Sequence, residues 1–248
     1  MELTVVGAGP AYSDDPGAVG ASYLVENGGS ALVLDLGQGA FSRLAATIEP
    51  SRVEAFLISH LHPDHFIDLV PLRHYLRYQF NPPRRGRVVA PAGIADRLDA
   101  LHDEPGFSSA ALDCEAVEAG AMRVAEFVIE VAHVTHHGAS VAFRVSAAGS
   151  DRGLVYSGDV GVAEDLAPLI RPADVLLVEV SFGPADVPLG AQHLNASAVA
   201  RLAAATRPSR VLLTHLQMGF DAAVTVAAVR SGFAAEVELV KPGFVTTI

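Results

Sequence analysis

The chain has 248 residues and a mass of 25.8 kDa; half of the residues are hydrophobic, 18% are charged, and the mean hydropathy is +0.34. That much apolar material fills a sizeable core and excludes a disordered or collagen-like chain. With 17 Lys+Arg against 28 Asp+Glu the formal charge is −11, which argues against an electrostatic nucleic-acid binder, because neutralising phosphates takes clustered cations.

Taken in chain order, short β-branched runs at Leu3–Val6, Ser22–Glu26, Ala31–Asp35, Val53–Ser59 and Arg87–Ala90 predict strands in the first half. Glu26-Asn27-Gly28-Gly29-Ser30, between two apolar runs, is a hairpin signal. Helical spacing predicts helices over Ala40–Thr47, over Asp64–Tyr78 around Leu69, Leu72 and Leu76, and over Ile94–His102. Strands follow at Phe127–Val134, Ser140–Ser146, Leu154–Ser157, Val175–Val180, Val211–Thr214 and Val237–Val240. Between and after them, helices are predicted over Ala163–Ile170, Ala196–Thr206 with Asn195 as its cap, and Ala222–Ser231 ending at Gly232. Strands with helices interspersed imply a layered α/β arrangement, and with no linker or repeat in view residues 1–248 read as one domain.

Several features are read as bland. The single Cys114 forms no internal disulfide and reads as a packing residue. No basic-then-apolar leader opens the chain, and no apolar run approaches the ~18 residues of a spanning helix, so the expected location is the cytoplasm. Gly7-Ala8-Gly9-Pro10 follows a strand but reaches Tyr12 where a dinucleotide fingerprint wants glycine, so no nucleotide cofactor is expected. His74, Tyr75 and Tyr78 read as packing or rim residues, and Arg73, Arg77, Arg84 and Arg85 as one cationic, solvated face.

The chemistry lies in Ser59-His60-Leu61-His62-Pro63-Asp64-His65, directly after the apolar run Phe56-Leu57-Ile58. Alternate residues of an extended segment share a face, so His60 and His62 converge, while Pro63 turns Asp64 and His65 towards a second point. Imidazoles and carboxylates without thiolates suit Zn, Mn or Fe in a catalytic setting. A two-metal site needs more ligands, and three later strand ends offer them: His133, His136 and His137; Asp159; and His215. Spacing alone leaves the choice among the three histidines open.

This order resembles the metallo-β-lactamase superfamily. His60-Leu61-His62-Pro63-Asp64-His65 fits its HxHxDH motif, and Asp35-Leu36-Gly37-Gln38-Gly39 fits the turn that precedes it. His136, Asp159 and His215 fit its later single-residue motifs. Within the superfamily the resemblance is to the ribonuclease Z and phosphodiesterase-like branch, through His136-His137-Gly138 before Phe143-Arg144-Val145, through Val155-Tyr156-Ser157-Gly158-Asp159, and through Val178-Glu179-Val180-Ser181-Phe182. The resemblance implies a four-layer αβ/βα sandwich with two divalent ions, zinc first and manganese or iron as alternatives. It assigns His60, His62 and His136 to one ion, Asp64, His65 and His215 to the other, and Asp159 as the bridge.

The activity implied is metal-dependent hydrolysis, with a hydroxide held between the ions attacking a phosphodiester. Hydrolysis of a lactone, carboxylic ester or thioester at the same metals is the alternative. Asp64, His193 and Glu179 are the expected catalytic residues, Glu179 holding His193 protonated so that it donates to the leaving group. Two departures argue against tRNA as substrate: the segment from Val145 to Leu154 leaves no room for the tRNA-binding arm, and His193-Leu194-Asn195 stands where ribonuclease Z favours His-Ser-Thr. A small-molecule or nucleotide-like substrate, a homodimer and no membrane partner are therefore expected, and Tyr12–Gly20 is read as a lid bordering the site.

Overall fold

Along the segment Val175–Glu179 the side chains of Val175 and Leu177 face one apolar cluster, and those of Leu176 and Val178 face another. The same alternation splits Leu32 and Leu34 from Ala31 and Val33. A strand that is apolar on both faces needs a packed layer on each side, and that requirement generates the architecture.

The protein is described here by a computed structural model covering residues 1–248. In chain order the first half contains β1 (Glu2–Gly7), β2 (Ser22–Asn27), β3 (Ser30–Leu34), α1 (Ala40–Thr47), β4 (Ala55–Leu57), α2 (Pro63–Phe66), α3 (Leu69–Tyr78), β5 (Gly86–Ala90), α4 (Ile94–His102) and β6 (Leu112–Ala116). The second half contains β7 (Gly120–Val124), β8 (Phe127–His133), β9 (Val141–Ala147), β10 (Gly153–Tyr156), β11 (Val175–Glu179), α5 (Ala196–Thr206), β12 (Arg210–Thr214), α6 (Ala222–Arg230), β13 (Glu236–Leu239) and β14 (Val245–Thr247). Two seven-stranded sheets result, ordered β14-β1-β2-β3-β4-β5-β6 and β13-β12-β11-β10-β9-β8-β7.

The inner faces of the sheets meet in a cluster that includes Leu3, Tyr23, Leu34 and Leu57 from one and Phe127, Phe143, Tyr156 and Leu212 from the other. Leu44, Leu72 and Leu98 of α1, α3 and α4 cover the outer face of the first sheet. Val199, Leu202 and Val229 of α5 and α6 cover the second. This is the four-layer αβ/βα sandwich of the metallo-β-lactamase fold. No helix is long and apolar enough to cross a membrane.

Local signals act as anticipated at several points. Gly28 and Gly29 both take positive φ, 58° and 92°, and close the hairpin in the register Asn27↔Ser30. The Asn195 side chain accepts from the Ala198 amide at 3.0 Å and caps α5.

Other expectations need correction. The helix predicted over Asp64–Tyr78 is two helices broken at Ile67–Asp68. Pro71 is the reason: it offers no N–H to the Ile67 carbonyl, and its ring clashes there, so the chain restarts just before it. The Asp68 carboxylate instead accepts from the Phe41 amide at 2.8 Å, at the start of α1. In the same way Pro168 limits the helix predicted over Ala163–Ile170 to a 3₁₀ turn at Ala163–Leu166. Three strands went unpredicted, β6, β7 and β14, and all three are sheet edges. The cationic face is also revised. Arg73 is buried, donates to the Phe107 carbonyl at 2.7 Å and lies over the Phe107 ring, while Arg84 and Arg85 pair with Glu49 and Asp113.

Strands β3, β4 and β5 run parallel in the first sheet, as do β10, β11, β12 and β13 in the second. Their carboxyl ends lie where an open α/β sheet presents its ligands. Two backbone bonds stitch the sheets at this edge, from the Val141 amide to the Ser59 carbonyl at 2.9 Å and from the His215 amide to the Ala8 carbonyl at 3.0 Å.

Candidate metal centre

Six strand ends supply the site. The turn after β3 carries Asp35, and the segment after β4 carries His60, His62, Asp64 and His65. The β8–β9 turn carries His136, the turn after β10 Asp159, β11 ends in Glu179, and β12 leads into His215. Asp35 and His215 hold left-handed backbone at φ 56° and 58°, a conformation that costs a non-glycine residue energy and is retained where the surroundings enforce it. Close backbone packing fixes the first loop. A Cβ on Gly37 would lie 1.9 Å from the Asp64 carbonyl oxygen, so only glycine lets the turn after β3 lie against α2.

Besides a group made by Glu179, His193 and His215, two clusters of ligand-type atoms that share a carboxylate form at this edge. His60, His62, His136 and Asp159 make one, and Asp64, His65, Asp159 and His215 make the other; within each, the ligand atoms lie within 4.8 Å of one another. Asp159 belongs to both, its Oδ1 being 3.4 Å from His65 Nε2 and 3.5 Å from His215 Nε2, and its Oδ2 3.8 Å from His60 Nε2. The seven residues singled out in the sequence are therefore brought together. Of the three histidines near the β8–β9 turn only His136 enters the cluster; His133 is exposed at the end of β8, and the His137 ring is 5.2 Å from that of His136.

The outer nitrogens of four of the five imidazoles are engaged. His65 Nδ1 donates to Asp35 Oδ2 at 2.6 Å, and His136 Nδ1 to the Gln192 carbonyl at 2.7 Å. His60 Nδ1 lies 3.1 Å from Ser59 Oγ, which itself donates to Asp35, and His215 Nδ1 lies 3.1 Å from Ser181 Oγ, which donates to Glu179. With Nδ1–H directed outward, the Nε2 of these four presents a lone pair inward, whereas His62 turns its Nδ1 inward. Those lone pairs face one another: His65 and His215 Nε2 are 3.3 Å apart, and His136 Nε2 is 3.3 Å from His62 Nδ1. His60 Nε2 and Asp159 Oδ1 are buried without any hydrogen-bond partner. Such orphaned acceptors are costly, and a cation at each cluster satisfies them. The donor set, five imidazoles and two carboxylates without a thiolate, fits divalent metal ions.

At the first cluster the electrostatics agree. Burial, with the His65 charge next in weight, pushes the His60 imidazole well below its usual range, towards the neutral ligand form. Burial lowers His136 and His62 as well. Burial would raise Asp159, yet the surrounding imidazoles, His215 and His65 foremost, hold its carboxyl well below the carboxylate norm.

The residues that orient the ligands escaped the sequence reading. Asp35 appeared there only as part of a turn motif. In the structure its fully buried carboxylate accepts from the Ser59 amide (2.7 Å), Ser59 Oγ (2.7 Å), His65 Nδ1 (2.6 Å) and the Tyr156 hydroxyl (2.5 Å). An acid directly after a buried apolar strand was the available signal. Ser181 appeared there only within the segment Val178–Phe182, and the Gln192 carbonyl carried no signal, since neither residue type nor spacing marks it.

Beside the second cluster stands His193, whose Nδ1 lies 3.0 Å from Glu179 Oε1 and 3.8 Å from Asp159 Oδ2. Glu179 is fully buried and also accepts from the Val160 and Ser181 amides, at 3.0 Å each. Burial by itself lowers the His193 imidazole, but the hydrogen bond and charge of Glu179, with Asp159 behind them, outweigh it, and its pKa stands raised.

The family described as "Beta-lactamase superfamily domain" matches residues 33–216. A Mycobacterium leprae protein named ML1173 is 32% identical over 204 residues, covering 75% of this chain and 66% of the relative, so the chain spans about two thirds of that relative's length. YhfI of Bacillus subtilis, described as a probable metallo-hydrolase, is 25% identical over 248 residues, 99% of either chain. Its crystal structure, titled as a metallo-β-lactamase fold protein, superposes with a TM-score of 0.87 at 22% identity over 99% of this chain and 98% of that one. A ribonuclease Z of Mycobacterium marinum is 33% identical over 104 residues, 41% of this chain and 37% of the relative.

Proposed function

The chain belongs to the β-lactamase superfamily, and from that premise we propose that it is a two-metal hydrolase that cleaves a small phosphodiester. The observation that carries the reading is the pair of ligand clusters sharing Asp159. Such a shared carboxylate would let two divalent ions bind side by side, where together they would act on one phosphoryl group. In this assignment His60, His62 and His136 hold one ion, Asp64, His65 and His215 the other, and Asp159 both. Zinc suits the nitrogen-rich set, and manganese or iron are the alternatives. Bound there, the ions supply Lewis acidity towards the phosphoryl oxygens and lower the pKa of water.

The chain's own residues do the rest. Asp35, Ser59, Ser181 and the Gln192 carbonyl hold the imidazoles in the ligating tautomer. Glu179 holds a proton on His193, which is half-buried beside the centre and donates it to the leaving alkoxide. Asp64 completes the second cluster and steadies His215, whose Nε2 is 3.3 Å away.

Support for a phosphodiester comes from the ribonuclease Z likeness, and support for a small one from the β9–β10 connection. That turn runs only from residue 148 to residue 152, where a tRNA-binding arm would be inserted.

The test is a parallel assay of bis(p-nitrophenyl) phosphate and a lactone panel, with metal content measured before and after chelation. Diester hydrolysis that is abolished by chelator and restored by zinc or manganese supports the reading. Turnover confined to lactones or thioesters replaces it with the ester-hydrolase reading.

A further inference from the structure

Two clefts open beside the ligand clusters, and their linings differ in charge. One, about 450 Å³, runs past His193 and carries the carboxylates Glu164 and Asp186 with one cation, Arg201. The other, about 320 Å³, runs past His62 between Leu61, Pro91 and Gly138. Its remaining polar side chains are Arg97 and His137, and no carboxylate lines it. In a chain of net charge −11 an approaching anion meets repulsion over most of the surface, so a carboxylate-free cleft with a guanidinium is a local reversal of sign.

The guanidinium is also placed. Arg97 projects from the first turns of α4 and donates from Nη1 to the Leu61 carbonyl at 2.7 Å. That bond pins it against the segment that carries His62 and leaves the other N–H groups of the fork free. Arg84, Arg85, Arg87, Arg144 and Arg171 are each engaged with a carboxylate, whereas Arg97 is engaged with a carbonyl and keeps its charge uncompensated. His137, its ring 5.8 Å from that of His62 and outside the ligand clusters, adds an N–H donor in either protonation state.

We propose that this cleft is a subsite for a second phosphate of the substrate: a terminal phosphate monoester on the fragment retained when the diester is cut. The inference rests on the phosphodiester reading above. If His193 protonates the leaving group, that group lies in the cleft with Glu164 and Asp186, and the retained fragment extends past His62 to Arg97. A doubly charged terminal phosphate matches the arginine fork.

Two substrates with the same leaving group isolate the subsite: the p-nitrophenyl ester of thymidine 5′-phosphate, and the 5′-p-nitrophenyl ester of thymidine 3′,5′-bisphosphate. The metal-loaded protein should favour the second in kcat/KM by about tenfold or more, the worth of one charge-assisted hydrogen bond. The ratio should fall to about one in Arg97→Ala and below one in Arg97→Glu. Calorimetry with thymidine 3′,5′-bisphosphate and thymidine 5′-phosphate should show the same preference in binding, again lost in Arg97→Ala. Equal kcat/KM for the two diesters in the wild type, or a preference that survives Arg97→Ala, overturns the subsite while leaving the hydrolase reading intact. If neither diester is cleaved yet the bisphosphate binds through Arg97, the subsite stands and the assigned reaction falls.

Discussion

Asp35 Oδ2 lies 2.6 Å from Nδ1 of His65, although Asp35 follows β3 and His65 lies in α2. This carboxylate sets which nitrogen of His65 faces the second ligand cluster, and it does so from a position with no access to solvent. Asp35→Asn keeps the shape and removes the charge. The expected result is a ~10–100-fold loss of affinity for one of the two ions, the usual cost of losing a carboxylate behind a ligating imidazole. Metal analysis after dialysis against graded chelator should then show one ion leaving well before the other. Simultaneous loss of both, or no change, contradicts this.

His193→Ala separates a proton donor from a structural residue. Cleavage of a dinucleotide, with its poor alkoxide leaving group, should slow by ~10²–10⁴-fold, the range of general-acid contributions. Turnover of a p-nitrophenyl ester, whose leaving group needs no proton, should slow far less. Equal slowing of both substrates argues that the residue only shapes the site.

Arg144 is buried in β9 and binds Asp174 through two bonds of 2.8 Å, from Nε and Nη2. Arg144→Met leaves the Asp174 charge buried without a counter-ion, with only the Arg171 amide at 2.9 Å to satisfy it, and should cost about 3–5 kcal/mol in urea unfolding. Adding Asp174→Leu to the same chain should recover much of that loss, because the pair is then replaced by packing rather than broken. A double variant less stable than Arg144→Met rejects this account.

Glu130 accepts from Arg144 at 3.0 Å and from Arg171 at 2.7 Å. Burial alone raises its pKa, but the hydrogen bond and charge of Arg171 and the charge of Arg144 outweigh that, and it stands lowered in the folded state. A lowered folded pKa means the stabilisation is fully present above the unfolded carboxyl pKa of about 4.3 and is lost as pH falls through the folded value. The stability gap between wild type and Glu130→Gln should therefore be flat near neutrality and close below about pH 4. A gap that widens on acidification gives the opposite sign.

Gly37→Ala tests backbone approach. The added methyl would meet the Asp64 carbonyl at 1.9 Å, so the turn after β3 must move away from α2. A loss of about 1–3 kcal/mol is expected, together with weakened metal retention, since Asp64 and His65 ride on that helix. Unchanged thermal unfolding and metal content would show that the contact relaxes freely.

Much of this protein is legible before folding. Ligand-type side chains in HxHxDH, after three apolar residues, can be read because metal chemistry restricts residue type and short spacing restricts direction. Central strands can be read because burial on both faces demands continuous apolar runs. The edge strands β6, β7 and β14 lack such runs, and Pro71 and Pro168 were legible as helix stops that helical periodicity alone concealed.

Tertiary structure decides the remainder. Which face of Asp35 meets His65, that Ser181 relays Glu179 to His215, and that a backbone carbonyl orients His136 depend on contacts between segments as far apart as positions 136 and 192. Arg97 and His137 likewise acquire their meaning from a shared cleft. A local pattern records what a residue can do within its own turn or strand. Hydrogen bonds and clefts between distant segments arise only when two sheets close on a common core, because packing sets those distances and adjacency in the chain does not.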